Sequence, residues 1–164
     1  MKPNILIILT DQQSATMMAC AGNKYLKTAS MDYLANYGVR FEKAYCTSPV
    51  CVPSRFSLFT GKMPSHIDLT DNDTQNIDHD KIEQLKTDGI GYVMKHAGYE
   101  AAYAGKQHLP GFTADDLGFD VLTLDERDVC TDACTEYIMK AKTKPYCLVA
   151  SLINPHDICY MAIR

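Results

Sequence analysis

Tyr146-Cys147-Leu148-Val149-Ala150-Ser151-Leu152-Ile153, introduced by Pro145 and followed by Asn154-Pro155-His156-Asp157, is an apolar run bounded by turn formers. Continuous apolarity over this length, without polar alternation, suits a central strand buried on both faces, as in a parallel sheet covered by helices. Two other stretches read the same way: Ile5-Leu6-Ile7-Ile8-Leu9, taken as a buried strand, and Tyr99 to Ala104. Helical periodicities lie between them. The alternation predicts an α/β fold with a mainly parallel or mixed sheet flanked by helices. No repeats, low-complexity tracts or interdomain linkers interrupt residues 1–164, which read as one structural unit.

Each helical segment carries its own punctuation. Thr28 or Ser30 can cap a helix with Met31, Leu34 and Ala35 on one face, closing at Gly38, and Val39-Arg40-Phe41 then reads as a short extended piece. Ser65 to Asp88 is polar, acidic and poorly periodic, and is expected to be a surface loop with one helical turn near Ile82 to Leu85. Ile90, Val93, Met94 and Ala97 line one side of the next helix, which ends at Gly98. Thr131 or Asp132 can cap a further helix with Ala133, Tyr137, Ile138 and Ala141 inward.

Composition narrows the classes of function. Of the 164 residues, 46% are hydrophobic and 22% charged, enough for one domain with a sizeable core. The formal net charge is −4 and no basic run appears, so neither nucleic acid nor an anionic membrane is expected as a partner. The Ile5–Leu9 run is too short to span a bilayer, and Asp11 follows it without a small-residue cleavage site. Seven cysteines, at 20, 46, 51, 130, 134, 147 and 159, contain no C-x-x-C pair. An odd set without metal-ligand spacing points to a reducing compartment, and the expected location is cytoplasmic.

In open α/β sheets ligands bind beyond the carboxyl ends of the strands. Asp11-Gln12 follows the first strand, Gly105-Lys106-Gln107-His108 the Tyr99 strand, and Asn154-Pro155-His156-Asp157 the last. If the strands are parallel, the three ends share one crevice. Cys51-Val52-Pro53-Ser54-Arg55-Phe56-Ser57-Leu58-Phe59-Thr60-Gly61 is a short, well-bounded helix: Pro53 suits its first turn and Gly61 the residue past its end. Cys51 at its start meets unpaired N–H groups and the positive end of the dipole, which favour an anion, and Arg55 is one turn along the same face. A buried structural cysteine is the plain alternative.

Cys51-x-Pro53-Ser54-Arg55 followed by Thr60-Gly61 resembles the signature of the type I, formylglycine-dependent sulfatases of the alkaline phosphatase-like superfamily. Gly105-Lys106-x-His108 is similar to that family's Gly-Lys-Trp-His motif, with Gln107 in place of Trp. Asn154-Pro155-His156 is similar to its Asn-Pro-Pro-His stretch with one proline missing. The resemblance implies a sulfuric ester hydrolase acting on sulfate monoesters, with sulfated sugars as the expected substrates. It implies that Cys51 is oxidised to formylglycine by a maturation enzyme, and that the hydrated aldehyde is the nucleophile. Asp11 and Gln12, with residue 51, would hold Ca2+ or alternatively Mg2+, both hard cations that take oxygen ligands. Arg55 would hold the hydrated side chain, Lys106 would bind it and the sulfate, His108 would regenerate the aldehyde, and His156 would protonate the leaving alcohol.

The resemblance also implies that residues 1–164 correspond to the N-terminal part of a longer, truncated catalytic domain. Two side chains and residue 51 are few ligands for a cation taking about 6 to 8 oxygens, so weak metal affinity and little turnover are expected of this chain alone. A missing C-terminal half, or self-association, would cover the exposed edge. Family members are often exported, so a removed leader is an alternative to the cytoplasm. Other open readings are a phosphonate or phosphate monoester hydrolase of the same superfamily, a non-catalytic binding fragment, and a thiol enzyme using Cys51 directly. Asp71-Asn72-Asp73-Thr74-Gln75 begins like an EF-hand loop, but Asn76 and Ile82 stand where Gly and Glu are required. His66, His79 and His96 have no partner at metal-ligand spacing and are expected on the surface.

Overall fold

A computed structural model describes residues 2–73, 78–140 and 142–158. Four strands, β1 (Ile5–Asp11), β2 (Glu100–Gly105), β3 (Asp120–Thr123) and β4 (Tyr146–Pro155), form one sheet in the order β1-β4-β2-β3, with every pairing parallel. The helices are α1 (Ala29–Tyr37), α2 (Cys51–Thr60), α3 (His79–Gln84), α4 (Ile90–His96) and α5 (Cys130–Met139). Short 3-10 turns occupy Ala19–Ala21, Pro64–His66 and Leu85–Asp88. The mainly parallel sheet flanked by helices is therefore present. Since parallel strands all point one way, the ends of β1, β2 and β4 lie at a common edge.

Register sorts the side chains into two layers. Ile7 pairs with Val149 and Val149 with Tyr103, so these three share a face, which Val52, Phe56 and Phe59 of α2 cover together with Leu69, Leu85, Leu117 and Phe119. Phe59, Tyr103 and Phe119 meet edge-on, with ring centroids 5.5 to 6.1 Å apart. On the opposite face Ala102, Ala104, Leu148 and Ala150 pack beneath Cys130 and Cys134 of α5. The small alanines of β2 let α5 approach closely. Gly105 ends β2 at φ +92°, and a Cβ there would lie 2.1 Å from the Ser151 carbonyl, so only glycine fits this turn into the site.

Several expectations change. The Ile5–Leu9 run is buried on one face only, since α5 covers the other face over β2, β3 and β4: Ile7 and Leu9 pack inward while Leu6 and Ile8 are exposed. Ser65 to Asp88 is no polar loop throughout, since Ile67, Leu69 and Leu85 enter the core and the segment contains two 3-10 turns and α3. Val93 points to solvent, while Ile90 and Met94 pack inward. Leu34 of α1 is exposed, and Val39-Arg40-Phe41 forms no strand and is exposed. α5 begins at Cys130 with Val129 in the cap position, not Thr131 or Asp132; Asp125 Oδ1 accepts the Val129 N–H at 2.8 Å just before it. Its inward row starts with Cys130 and Cys134 and continues through Tyr137 and Ile138. Ala141, Cys159 and residues 74–77 of the rejected EF-hand lie outside the described residues.

Candidate active site

α2 delivers its N-terminus to the carboxyl edge of the sheet. Val50, in extended conformation, precedes Cys51 and offers no side-chain cap. The cap comes from elsewhere: Asn72 Oδ1 accepts the Val52 N–H at 3.0 Å, and its Nδ2 lies 3.8 Å from Cys51 Sγ. At the far end Gly61 adopts φ 70° and donates its N–H to Ser57 at 2.9 Å, closing the helix. Seven of its ten residues are buried, so α2 is fixed against the sheet and Cys51 is held where the strands end.

Asp11 organises the centre. Its Oδ2 receives Arg55 Nη2 at 2.9 Å and Lys106 Nζ at 3.0 Å, with all three side chains buried. Burial alone raises a carboxyl pKa, but the hydrogen bonds and charges of Lys106 and Arg55 overcome it and hold Asp11 below its ordinary value. Asp11 Oδ1 faces Cys51 Sγ at 4.0 Å. Arg55 Nη1 donates to the Lys106 carbonyl at 2.8 Å and to Ser151 Oγ at 2.9 Å, and Tyr103 Oη donates to the same carbonyl at 2.6 Å. Arg55 thus reaches Cys51 through Asp11 rather than by stacking directly beside it. One carboxylate between two buried cations leaves a net positive centre suited to an anion.

The expected site residues gather around this centre. A cleft of about 620 Å³ is lined by Asp11, Gln12, Cys51, Arg55, Asn72 and His156, among others. Asp11, Cys51 and His156 bring ligand atoms within 4.8 Å of one another, forming the one such group of three His, Cys, Asp or Glu side chains among the described residues. Gln12 and His108 hold left-handed backbone, at φ 57° and 47°, strain of a kind that gathers at functional sites. His108 is exposed and is not among the residues lining the cleft. Partial loss of hydration first, then the charges of Lys106 and Arg55, push its imidazole below the ordinary value. His66 and His96 are exposed and stand apart from this cluster.

Three participants escaped sequence reasoning. Ser151 and Tyr103 sit inside strands and look like core residues, and Asn72 sits in the polar stretch discounted as a calcium loop. Gln107, where the resembling motif has Trp, accepts the Ala114 N–H at 3.2 Å and braces the loop after β2. Arg127, in the loop after β3, holds Asp157, in the loop after β4, through two bonds of 2.5 and 3.1 Å. Asp157 Oδ1 is 3.9 Å from His156 Nδ1, so the same pair steadies the loop that carries His156.

A family model described as Sulfatase matches residues 3–162. The chain belongs to the sulfatase family. It is 31% identical over 172 residues to the Delta 4,5-hexuronate-2-O-sulfatase of Bacteroides thetaiotaomicron, covering 96% of this chain and 35% of that protein. It superimposes with a TM-score of 0.79 on a solved structure holding D-glucosamine-2-N,6-O-disulfate as its substrate, at 26% identity, covering 95% of this chain and 35% of the other. The phosphonate monoester hydrolase of Agrobacterium radiobacter shares the fold, with a TM-score of 0.68 at 18% identity over 94% of this chain and 41% of the other. This sulfatase chain therefore spans about a third of the length of such relatives.

Proposed function

We propose that this sulfatase chain carries part of the active site of a sulfuric ester hydrolase that cleaves sulfate monoesters of carbohydrates, with residue 51 acting as formylglycine. The observation that carries this reading is the convergence of Cys51, Asp11 and His156 within 4.8 Å beside the buried Arg55 and Lys106. The sugar sulfate substrates of the relatives named above support the substrate class.

The donors present fit one side of a hard-cation site. Asp11 and Gln12 line the cleft with residue 51, and Asp11 keeps Oδ1 on that side while Oδ2 is taken by Arg55 and Lys106. Asp11, Gln12 and an oxygen at residue 51 would hold the cation, calcium being the expected ion and magnesium its alternative. Bound there, it would supply Lewis-acid polarisation of ester oxygens. Arg55 and Lys106 fix Asp11 and supply the positive field that draws a sulfate group in. His156, on the cleft wall, would give a proton to the departing alcohol. His108, whose imidazole is pushed below its ordinary value by loss of hydration and by Lys106 and Arg55, would accept one. Ligands beyond these would come from sequence outside residues 1–164, as would most substrate contacts.

The shared fold of the phosphonate monoester hydrolase keeps a second reading open, hydrolysis of phosphonate or phosphate monoesters. The test is parallel turnover of an aryl sulfate and a phosphonate ester by the complete gene product, co-produced with a maturation enzyme. Sulfate hydrolysis should be the faster and should disappear in Cys51→Ala. Faster phosphonate cleavage would transfer the assignment, and full activity in Cys51→Ala would end it.

A further inference from the structure

We propose that, while residue 51 is still a cysteine, Cys51, His156 and Asp11 form a site for a thiophilic divalent cation of the zinc class. Occupation of that site and conversion of Cys51 then exclude each other, because both use the same sulfur. The first statement stands on geometry alone; the second rests also on the formylglycine reading.

Chemistry separates this site from a hard-cation site. The donors are one thiolate sulfur, one imidazole nitrogen and one carboxylate oxygen, a set that favours borderline-soft ions over calcium. Zinc bonds of about 2.0 to 2.3 Å at tetrahedral angles put neighbouring ligand atoms about 3.5 Å apart. Here Cys51 Sγ and Asp11 Oδ1 are 4.0 Å apart, and no pair in the trio exceeds 4.8 Å. Closing the set needs separations to shrink by roughly half an ångström to at most about 1.3 Å, within reach of side-chain adjustment.

The surroundings are those of a site with three protein ligands. Asp11 is buried while Cys51 and His156 are half-buried, so the remaining coordination position opens on the cleft and is available to water. Asp11 is oriented through its other oxygen by Arg55 and Lys106, and Asn72 Nδ2 stands 3.8 Å from Cys51 Sγ, where it can donate to a thiolate. On binding, the thiol proton passes to solvent, and thiolate and carboxylate together match the charge of the ion. Arg55 and Lys106 oppose it, which sets the expected affinity in the micromolar range rather than that of a structural zinc site.

Cobalt(II) is the probe, because a cobalt–thiolate bond gives a charge-transfer absorption that oxygen and nitrogen ligands do not. The complete gene product is prepared without a maturation enzyme, and mass spectrometry verifies the thiol at residue 51. One equivalent of cobalt should produce the band, and zinc should displace it. Cys51→Ser should abolish it, while His156→Ala and His156→Gln should each weaken binding at least tenfold. Cys46→Ser, which removes the other thiol lining the cleft, should leave the titration unchanged. No band in the unaltered protein, or a band retained in Cys51→Ser, overturns the site. A second arm exposes the thiol form, with and without zinc, to a maturation enzyme and reads residue 51 by mass spectrometry. Equal conversion overturns the exclusion. Failure to convert without zinc also overturns the exclusion, since the folded thiol form is then no substrate whether or not zinc is bound, and leaves the cobalt result to judge the site.

Discussion

α1 and α2 are nearly equal in length and both look amphipathic in sequence, yet they sit in the molecule in opposite ways. α2 buries seven of its ten residues against the sheet, whereas α1 buries none. α1 is held instead by polar contacts, the Asp32 carboxylate accepting the Cys20 N–H at 2.8 Å and the Thr28 hydroxyl at 3.1 Å. Around it Tyr25, Tyr33, Leu34, Tyr37, Phe41 and Tyr45 are all exposed. The difference shows that an apolar stripe predicts a helix, not the partner that covers it. α2 can hold Cys51 at the carboxyl edge of the sheet because its stripe is used within the described residues.

The largest expected effect lies in the packed region. Phe59→Ala removes a ring that meets both Tyr103 and Phe119, and should cost about 3 to 5 kcal/mol, read as a lowered urea midpoint. A change below 1 kcal/mol would show that α2 is not anchored by this contact, and the contrast with α1 would fail.

Arg55→Met comes next, since it leaves Asp11 buried with Lys106 alone. Breaking one member of a buried ion pair costs about 3 to 5 kcal/mol, and the surviving Lys106 should bring this toward the lower end. The pH dependence follows from the lowered Asp11 pKa. Its contribution is present above the unfolded value, about 3.9, and is lost as pH falls through the lower folded value. The stability difference between Arg55→Met and the unaltered protein should therefore narrow in acid. A difference that is constant from pH 7 down to pH 2 would mean that Arg55 acts through packing only.

Asn72→Ala removes the remote cap of α2 and should cost about 1 kcal/mol. Asn72 also marks where the sequence stopped being legible. β4 and β2 could be read because buried parallel strands are continuous apolar runs, and the parallel order then brought Asp11, Lys106 and His156 to one edge. β3 could not be read, because Asp120-Val121-Leu122-Thr123 is a short edge strand of half-buried and exposed residues with no run to detect. Ile67 and Leu69 were hidden in a polar stretch, since their burial comes from α2 and the turn around Pro64, not from any local period. Ser151 and Tyr103 were hidden in the reverse sense: a polar atom inside an apolar strand has meaning only once Arg55 arrives from α2. The motif residues survived translation into structure because each ends or closely follows a strand, or lies in the first turns of α2, where backbone geometry dictates direction.

The smallest expected effect belongs to α1. Leu34→Ala removes an exposed side chain from a helix with no buried residue, so the change in stability of residues 1–164 should stay within about 0.5 kcal/mol. The same substitution in a longer gene product is the sharper measurement. If sequence beyond residue 164 covers this stripe, Leu34→Ala should there cost about 2 kcal/mol or more, as truncation of a buried leucine does. A small effect in both settings would leave α1 a solvent-facing helix in its own right, and the contrast with α2 would then be intrinsic to the fold.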